Sequence, residues 1–551
     1  MSVTDRIAAK ALVLALAGGL AAAPPVVAQQ ATTASAQAIQ PVVPPVVPQV
    51  SPFQRALAEA LAADAELLAF YRMRGFAGLW SAAEDAERRN AALRAFLRAE
   101  DHGLPLERYG ADGLVEILRA ADTPERQAEA EIALTRAFLR YAHDVSSGLL
   151  EPGQVIPDIH RSPNAHPHLA VLQGVAGADP AGYIRGLAPQ SQEYAELAAA
   201  KIRLEQIVAQ GGWGPQVPPG TQRLGAGGAN VVALRNRLIA MGFLAPTTSE
   251  TYDETLRAAV LAFQAAHGLD VDGTAGPSTL GMVNVPAEER LRSVLVAMER
   301  ERWMNRPLGE RHVWVNLADF NVRLIEGGEV IFQTRSVVGA NVHDRRSPEF
   351  SDQMEYMVVN PSWNVPRSIV TKEFLPQLWA NRFALPHLEV VDGQGRVLDR
   401  RFVNFRQYSP QSFPFLMREP PSQGNALGLV KFMFPNPYNI YLHDTPAKSL
   451  FSQETRAYSH GCVRLGDPFG FARALLEPQV ADPEAFFRAR LATGREQIVG
   501  LETPVPVHLV YRTAFHDPGE PMQFRRDVYG RDALIWEALA AQGVAIRAAG
   551  G

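Results

Sequence analysis

Val313-Trp314-Val315-Asn316-Leu317, Val322-Arg323-Leu324-Ile325 and Val330-Ile331-Phe332 alternate apolar and polar residues, and Gly327-Gly328 separates the last two runs. A period of two predicts half-buried strands, and a Gly-Gly pair between two such runs predicts a tight hairpin turn. Met357-Val358-Val359 and Val507-His508-Leu509-Val510-Tyr511 have the same character. A β-rich domain over 313–532 follows. Upstream the period changes to that of helices, so the fold class is multidomain α+β.

From Phe53 onward Leu57, Leu61, Leu67 and Leu68, then Ile132, Leu134, Phe138, Leu139 and Tyr141, recur at three- and four-residue intervals. This predicts an α-helical scaffold domain over 53–212. A Gly/Pro-rich linker, Trp213 to Gly228, leads into a small helical module over 224–285. There Val232, Leu234 and Leu238, then Leu256, Ala259, Val260 and Phe263, predict two short amphipathic helices, and His267 to Thr279 carries Gly and Asp suited to tight turns. A helical connector over 286–312 precedes the β-rich domain, and a C-terminal helix and tail occupy 533–551. Within the β-rich domain, 381–424 is Pro-rich and aperiodic, which predicts a lid-like insertion. Its Phe413, Phe415 and Met417 either cap a site or tuck onto the surface.

The 551 residues are 47% hydrophobic and 20% charged with a formal charge of −5, enough apolar mass for several cores. That balance lacks the basic footprint of a nucleic-acid partner. Arg6 and Lys10 precede the apolar stretch Ala11 to Ala23, and Val26-Val27-Ala28 offers a small-residue cleavage site. Residues 1–28 are therefore read as an export signal, with an uncleaved membrane anchor as the alternative. Residues 29–52, rich in Ala, Pro, Val and Gln, are read as a tether.

Tyr458-Ser459-His460-Gly461-Cys462-Val463-Arg464 holds the only cysteine of the chain. A lone thiol cannot close an intramolecular disulfide, so Cys462 is either an inert core residue or a reactive centre. A thiol needs a base or a positive field to react at neutral pH. His460 and Arg464 stand two residues to either side, and His443, at the end of the strand-like Ile440-Tyr441-Leu442-His443, is a loop's length away. Gly461 allows close backbone approach, and the Gly461 and Cys462 amides can hold an oxyanion, with the Tyr441 hydroxyl as a further donor. Arg464 suits bidentate recognition of a carboxylate, with a structural salt bridge as the alternative. His460 is either a donor at the site or a structural residue. His160, His166 and His168 share a loop but no thiolate or carboxylate completes a metal set, so no metal or other cofactor is expected.

His443, sixteen intervening residues, then Ser459-His460-Gly461-Cys462 resembles the signature of L,D-transpeptidases with the YkuD-type catalytic domain. The likeness extends over Asn360-Pro361-Ser362-Trp363-Asn364-Val365-Pro366, Asn425-Ala426-Leu427-Gly428 and Tyr441-Leu442-His443-Asp444-Thr445-Pro446. Residues 224–285 resemble the peptidoglycan-binding module of wall enzymes, and the whole resembles the large, multidomain YcbB-like subgroup of Gram-negative bacteria. The resemblance implies a periplasmic enzyme acting on peptidoglycan stem peptides and glycan strands, in company with cell-wall synthesis proteins. It implies Cys462 as nucleophile, His443 as base oriented by the following Asp444, often through its backbone carbonyl, and 3→3 crosslinks as product. His460, Gly461 and Tyr441 complete the expected catalytic set, and Arg464, Ser459, Trp363 and Asn425 the expected substrate contacts. Hydrolysis, attachment or release of a wall-bound protein, and a noncatalytic wall-binding scaffold are the rival readings.

Overall fold

The computed structural model describes residues 50–546; the expected export signal, most of the tether and the last five residues lie outside them. Among the described residues no helix is long and apolar enough to cross a membrane.

The helical part begins at Pro52–Ala60, where Ser51 and Gln54 form a reciprocal capping box. Its centre is the long helix Pro124–Ser147, which buries Leu134, Phe138, Tyr141 and Val145. These pack with Tyr71, Trp80 and Phe96 into one core. The connector helix Ala287–Trp303 belongs to that same core through Leu291, Val294, Leu295 and Met298, and so does the C-terminal helix Arg531–Ala541 through Ile535 and Leu539. The chain thus leaves the helical layer, builds the β-rich part and returns to it.

The small module folds around Val231, Leu234, Leu238, Leu256, Val260 and Phe263 on the helices Ala229–Ala240 and Glu254–Ala266. Its Gly/Asp-rich end turns as expected at Gly268 and Gly273, which take φ 63° and 71°, but the turns stop at Gly276. Pro277 opens a third helix, Pro277–Val283, that buries Leu280 and Val283. Proline suits a helix's first turn, whose N–H has no intrahelical partner.

The β-rich part contains β1 (Arg311–Asn316), β2 (Asn321–Glu326), β3 (Glu329–Gly339), β4 (Phe350–Val359), β5 (Trp363–Asn364), β6 (Glu389–Val391), β7 (Leu416–Glu419), β8 (Val430–Met433), β9 (Leu442–His443), β10 (Ala457–Ser459), β11 (Val463–Leu465) and β12 (Gln497–Val510). Nine of these form one mixed sheet in the order β10-β3-β11-β9-β8-β4-β12-β1-β2, and β2 also pairs with β3, which closes it. Gly327 and Gly328 both take positive φ, 57° and 86°, as the turn between β2 and β3 requires. Val313, Val315, Val322, Phe432, Leu442, Val463 and Leu509 fill the interior.

The insertion is a small domain rather than a loop. Its strands β5, β7 and β6 form a separate sheet starting at Trp363, and Val370, Leu375, Leu378, Val390 and Phe405 form its own core. Phe413 and Met417 are 1% exposed within that core, with Phe415 packed against it. They hold the insertion together and do not cap the site.

Candidate active site

The pairing of three short strands sets the geometry. On β9, His443 lies opposite Lys431 of β8 and opposite Arg464 of β11. Directly opposed residues project from the same face of a sheet, so three basic side chains stand abreast. Cys462 immediately precedes β11 and is half-buried. His443, Cys462, Arg464, Tyr441 and Trp363 all line one cavity of about 670 Å³. The insertion supplies its other wall with Pro366, Arg367, Lys372 and Glu373.

His443 is buried, and its Nδ1 donates to the Asp444 carbonyl at 2.5 Å. That bond assigns the proton to Nδ1 and leaves Nε2 with its lone pair. The Asp444 carboxylate is occupied elsewhere: it accepts from the Leu429 and Thr445 amides at 2.9 and 2.7 Å and from Lys448 Nζ at 2.6 Å. Asp444 thus orients the imidazole through its backbone and anchors its own loop through its side chain. Gly428, at φ +62°, makes room, since a Cβ there would stand 2.3 Å from the Asp444 carboxyl carbon.

Burial, helped by the Arg464 charge, pushes the His443 imidazole down to about 3. Burial also pushes the Cys462 thiol up to about 11, against the pull of the Tyr441 amide and hydroxyl, Arg464 and Lys431. Both shifts favour a thiol facing a neutral imidazole over a thiolate–imidazolium pair at neutral pH. The thiol donates to the Asn439 carbonyl at 3.5 Å, a residue held at φ 55°.

The turn before the nucleophile is tightly held. Ser459 Oγ accepts from the Gly461 amide at 3.1 Å and donates to the Cys462 carbonyl at 2.5 Å. Gly461 takes φ +113°, and Ser347 Oγ donates to its carbonyl at 2.6 Å. Two expectations change here. The Gly461 amide is already engaged, and the Tyr441 hydroxyl meets Cys462 and Trp363, so of the expected oxyanion donors the Cys462 amide is the one that makes no hydrogen bond among the described residues. Ser459, expected to meet substrate, lines the cavity but is 2% exposed, and its hydroxyl is taken up by the turn.

Arg464 makes no ion pair among the described residues, and its Nε is buried without a partner. No salt bridge among the described residues accounts for it. His460 pairs through Nε2 with Glu373 at 2.8 Å, and Arg345 meets the same carboxylate oxygen at 2.8 Å. Glu373 lies on a π-turn, Val370–Phe374, in the insertion. The latch between the insertion and the nucleophile loop was not anticipated, and only the charged residue types on 367–373 hinted at it. Asn425 is not in the cavity wall. It is fully buried, donating to the Glu419 and Pro420 carbonyls and accepting from the Leu427 amide. Of the histidines considered for metal, His168 pairs with Glu66 and His160 stacks on Tyr438.

Two solved structures, one relative and three family models are similar to parts of this chain. A structure of an L,D-transpeptidase from Xylanimonas cellulosilytica is 16% identical, covering 54% of this chain and 98% of that one at a TM-score of 0.16. A fused Zn-dependent amidase/peptidase/peptidoglycan-binding protein from Clostridium acetobutylicum is 12% identical, covering 53% and 100% at 0.15. A Haemophilus influenzae protein described as "Putative L,D-transpeptidase" is 31% identical over 242 residues, 44% of this chain and 48% of the relative, so the match spans about half that protein's length. Residues 65–200 match a scaffold domain, 227–283 a "Putative peptidoglycan binding domain", and 310–507 the YkuD L,D-transpeptidase catalytic domain. Residues 310–507 are thus a catalytic domain of the YkuD L,D-transpeptidase family, carried in a multidomain chain with a scaffold domain and a peptidoglycan-binding module.

Proposed function

We propose that this protein is a periplasmic peptidoglycan L,D-transpeptidase that forms 3→3 crosslinks through a thioester on Cys462. The observation that carries the reading is one cavity holding the lone thiol, an imidazole whose free nitrogen is Nε2, and an arginine without an ion-pair partner.

The donor is the amide between meso-diaminopimelate and the terminal D-alanine of a stem tetrapeptide. Cys462 Sγ attacks the amide carbon while His443 Nε2 takes the thiol proton. Because the thiol and the imidazole are both neutral at rest, this transfer accompanies the attack. The Cys462 amide and Tyr441 hydroxyl stabilise the oxyanion. The C–N bond breaks as His443 returns the proton to the leaving amine, D-alanine departs, and the thioester remains. An acceptor side-chain amine then attacks the thioester carbon, and its proton passes to His443 and on to the sulfur as the C–S bond breaks, which restores the thiol. Arg464 holds a carboxylate of the stem. A carbapenem presents a strained amide to the same thiol, and a stable acyl adduct on Cys462 is expected by intact mass.

The test uses the mature protein and Cys462→Ala with purified disaccharide-tetrapeptide, followed by mass spectrometry. Dimer with loss of D-alanine, absent in the variant, supports the proposal. Cysteine-dependent D-alanine release without dimer replaces transfer with hydrolysis or another acceptor, and no reaction overturns the catalytic reading.

A further inference from the structure

Scaffold residues 158–161 reach the nucleophile's surroundings. The Glu349 amide donates to the Asp158 carbonyl at 2.9 Å, and the His160 amide donates to the Glu349 carbonyl at 2.8 Å, a parallel bridge centred on Ile159. Arg161 enters the catalytic sheet, donating to Ser351 Oγ at 3.0 Å and to the Leu509 carbonyl. These bonds fix the backbone on both sides of His160. Its ring stacks on Tyr438 with centroids 3.9 Å apart and planes 10° from parallel, while Phe350 meets Tyr438 edge-on at 4.9 Å.

Tyr438 belongs to the cavity wall and precedes Asn439, the residue whose carbonyl accepts the Cys462 thiol hydrogen. Asn436 Oδ1 bonds the Tyr438 and Ile440 amides from inside this turn, at 3.1 and 3.2 Å. The turn is thus held internally by Asn436 and against the scaffold by the His160 stack. Asn439's left-handed backbone, uncommon outside glycine, is the kind of conformation that persists only when its surroundings impose it.

We infer that His160 of the scaffold domain is a positioning residue for Cys462: by stacking on Tyr438 it sets the turn whose Asn439 carbonyl fixes the resting thiol. The scaffold is then a part of the active-site wall. The inference rests on the transpeptidase reading for its effect on turnover, but its effect on the thiol is independent of that reading. A carbonyl that accepts from S–H stabilises the protonated form, so a loosened turn makes the thiol more acidic and less well aimed. Chemical reactivity toward a small reagent then rises while turnover falls.

The test compares His160→Ala, which removes the stack, with His160→Phe, which keeps a flat ring, in the full chain. Two rates are read: alkylation of Cys462 by iodoacetamide at pH 8, followed by intact mass, and dimer formation from disaccharide-tetrapeptide. An aromatic stack supports a change of about two- to tenfold. The expected result for His160→Ala is faster alkylation and slower turnover by that factor, with His160→Phe returning both toward wild type. Plain destabilisation would not lower the alkylation pH profile of the folded protein and be rescued by a ring. Unchanged alkylation in His160→Ala, or His160→Phe behaving like His160→Ala, overturns the inference. If the wild type alkylates as expected but forms no dimer, the transpeptidase reading fails and the alkylation pair still decides the role of His160.

Discussion

Arg464→Met isolates the electrostatics of the site. The guanidinium stands opposite His443 across the β9–β11 pair, pulls the Cys462 thiol down and depresses the His443 imidazole. Removing it raises both. An opposite charge near a partly desolvated group shifts a pKa by roughly one unit or more, equivalent to about 1.4 kcal/mol and a tenfold change in thiolate fraction. Iodoacetamide alkylation of Cys462 at pH 8 to 9 is therefore expected to slow about tenfold in Arg464→Met and to stay near wild type in Arg464→Lys. For substrate, loss of a charge-assisted hydrogen bond of about 1.5–3 kcal/mol raises KM by roughly ten- to a hundredfold. Stability moves the other way: the variant removes a buried Nε that has no partner, so Tm holds or rises. A tenfold loss of reactivity without loss of Tm is the signature of a site residue. An Arg464→Met protein that alkylates at the wild-type rate would sink the electrostatic reasoning, and one that melts well below wild type would return Arg464 to a structural role.

The alkylation rate of wild type should climb about tenfold per pH unit from pH 8 to 10 and show no inflection near 6.5, since the thiol ionises only toward 11 and His443 stays neutral above about 4; a plateau between pH 5 and 8 would reveal a preformed thiolate–imidazolium pair instead. Gly428→Ala places a Cβ against the Asp444 carboxyl at a φ of +62°, a strain of about 2 kcal/mol or more, so Tm should fall by several degrees and turnover more than tenfold; thermal melts and the dimer assay check it. Asn425→Ala strips three buried hydrogen bonds and should cost about 2–3 kcal/mol while leaving KM unchanged in protein that remains folded, the reverse of what a substrate contact would do.

How much of this was legible depended on the distance over which each signal is written. The strands of the β1–β3 meander declare themselves because alternation and the Gly327-Gly328 turn are local. So does the chemistry around Cys462, where Arg464 lies two residues away and His443 within a loop's length. The insertion was opaque because its strands are two to four residues long, too short to show a period, and its core is assembled from residues spread over 365–417. The helix Pro277–Val283 hid for a related reason: it is seven residues long and follows directly on a run of turn-forming glycines.

The contacts that decide what the site can do were the least visible. His460 finds Glu373 across 87 residues, and Gly461 is held by Ser347 across 114. Neither glutamate nor serine carries any mark in the sequence that would single it out. Burial is equally nonlocal. The same motif on an exposed loop would leave the thiol and the imidazole near their ordinary values, where a fraction of the cysteine is already ionised at neutral pH. Enclosure between β8, β9, β11 and the insertion drives the two apart, one up to about 11 and the other down to about 3. Residue identity names the reactants, but the desolvation that the closed sheet imposes decides that the proton waits on sulfur until a carbonyl carbon arrives.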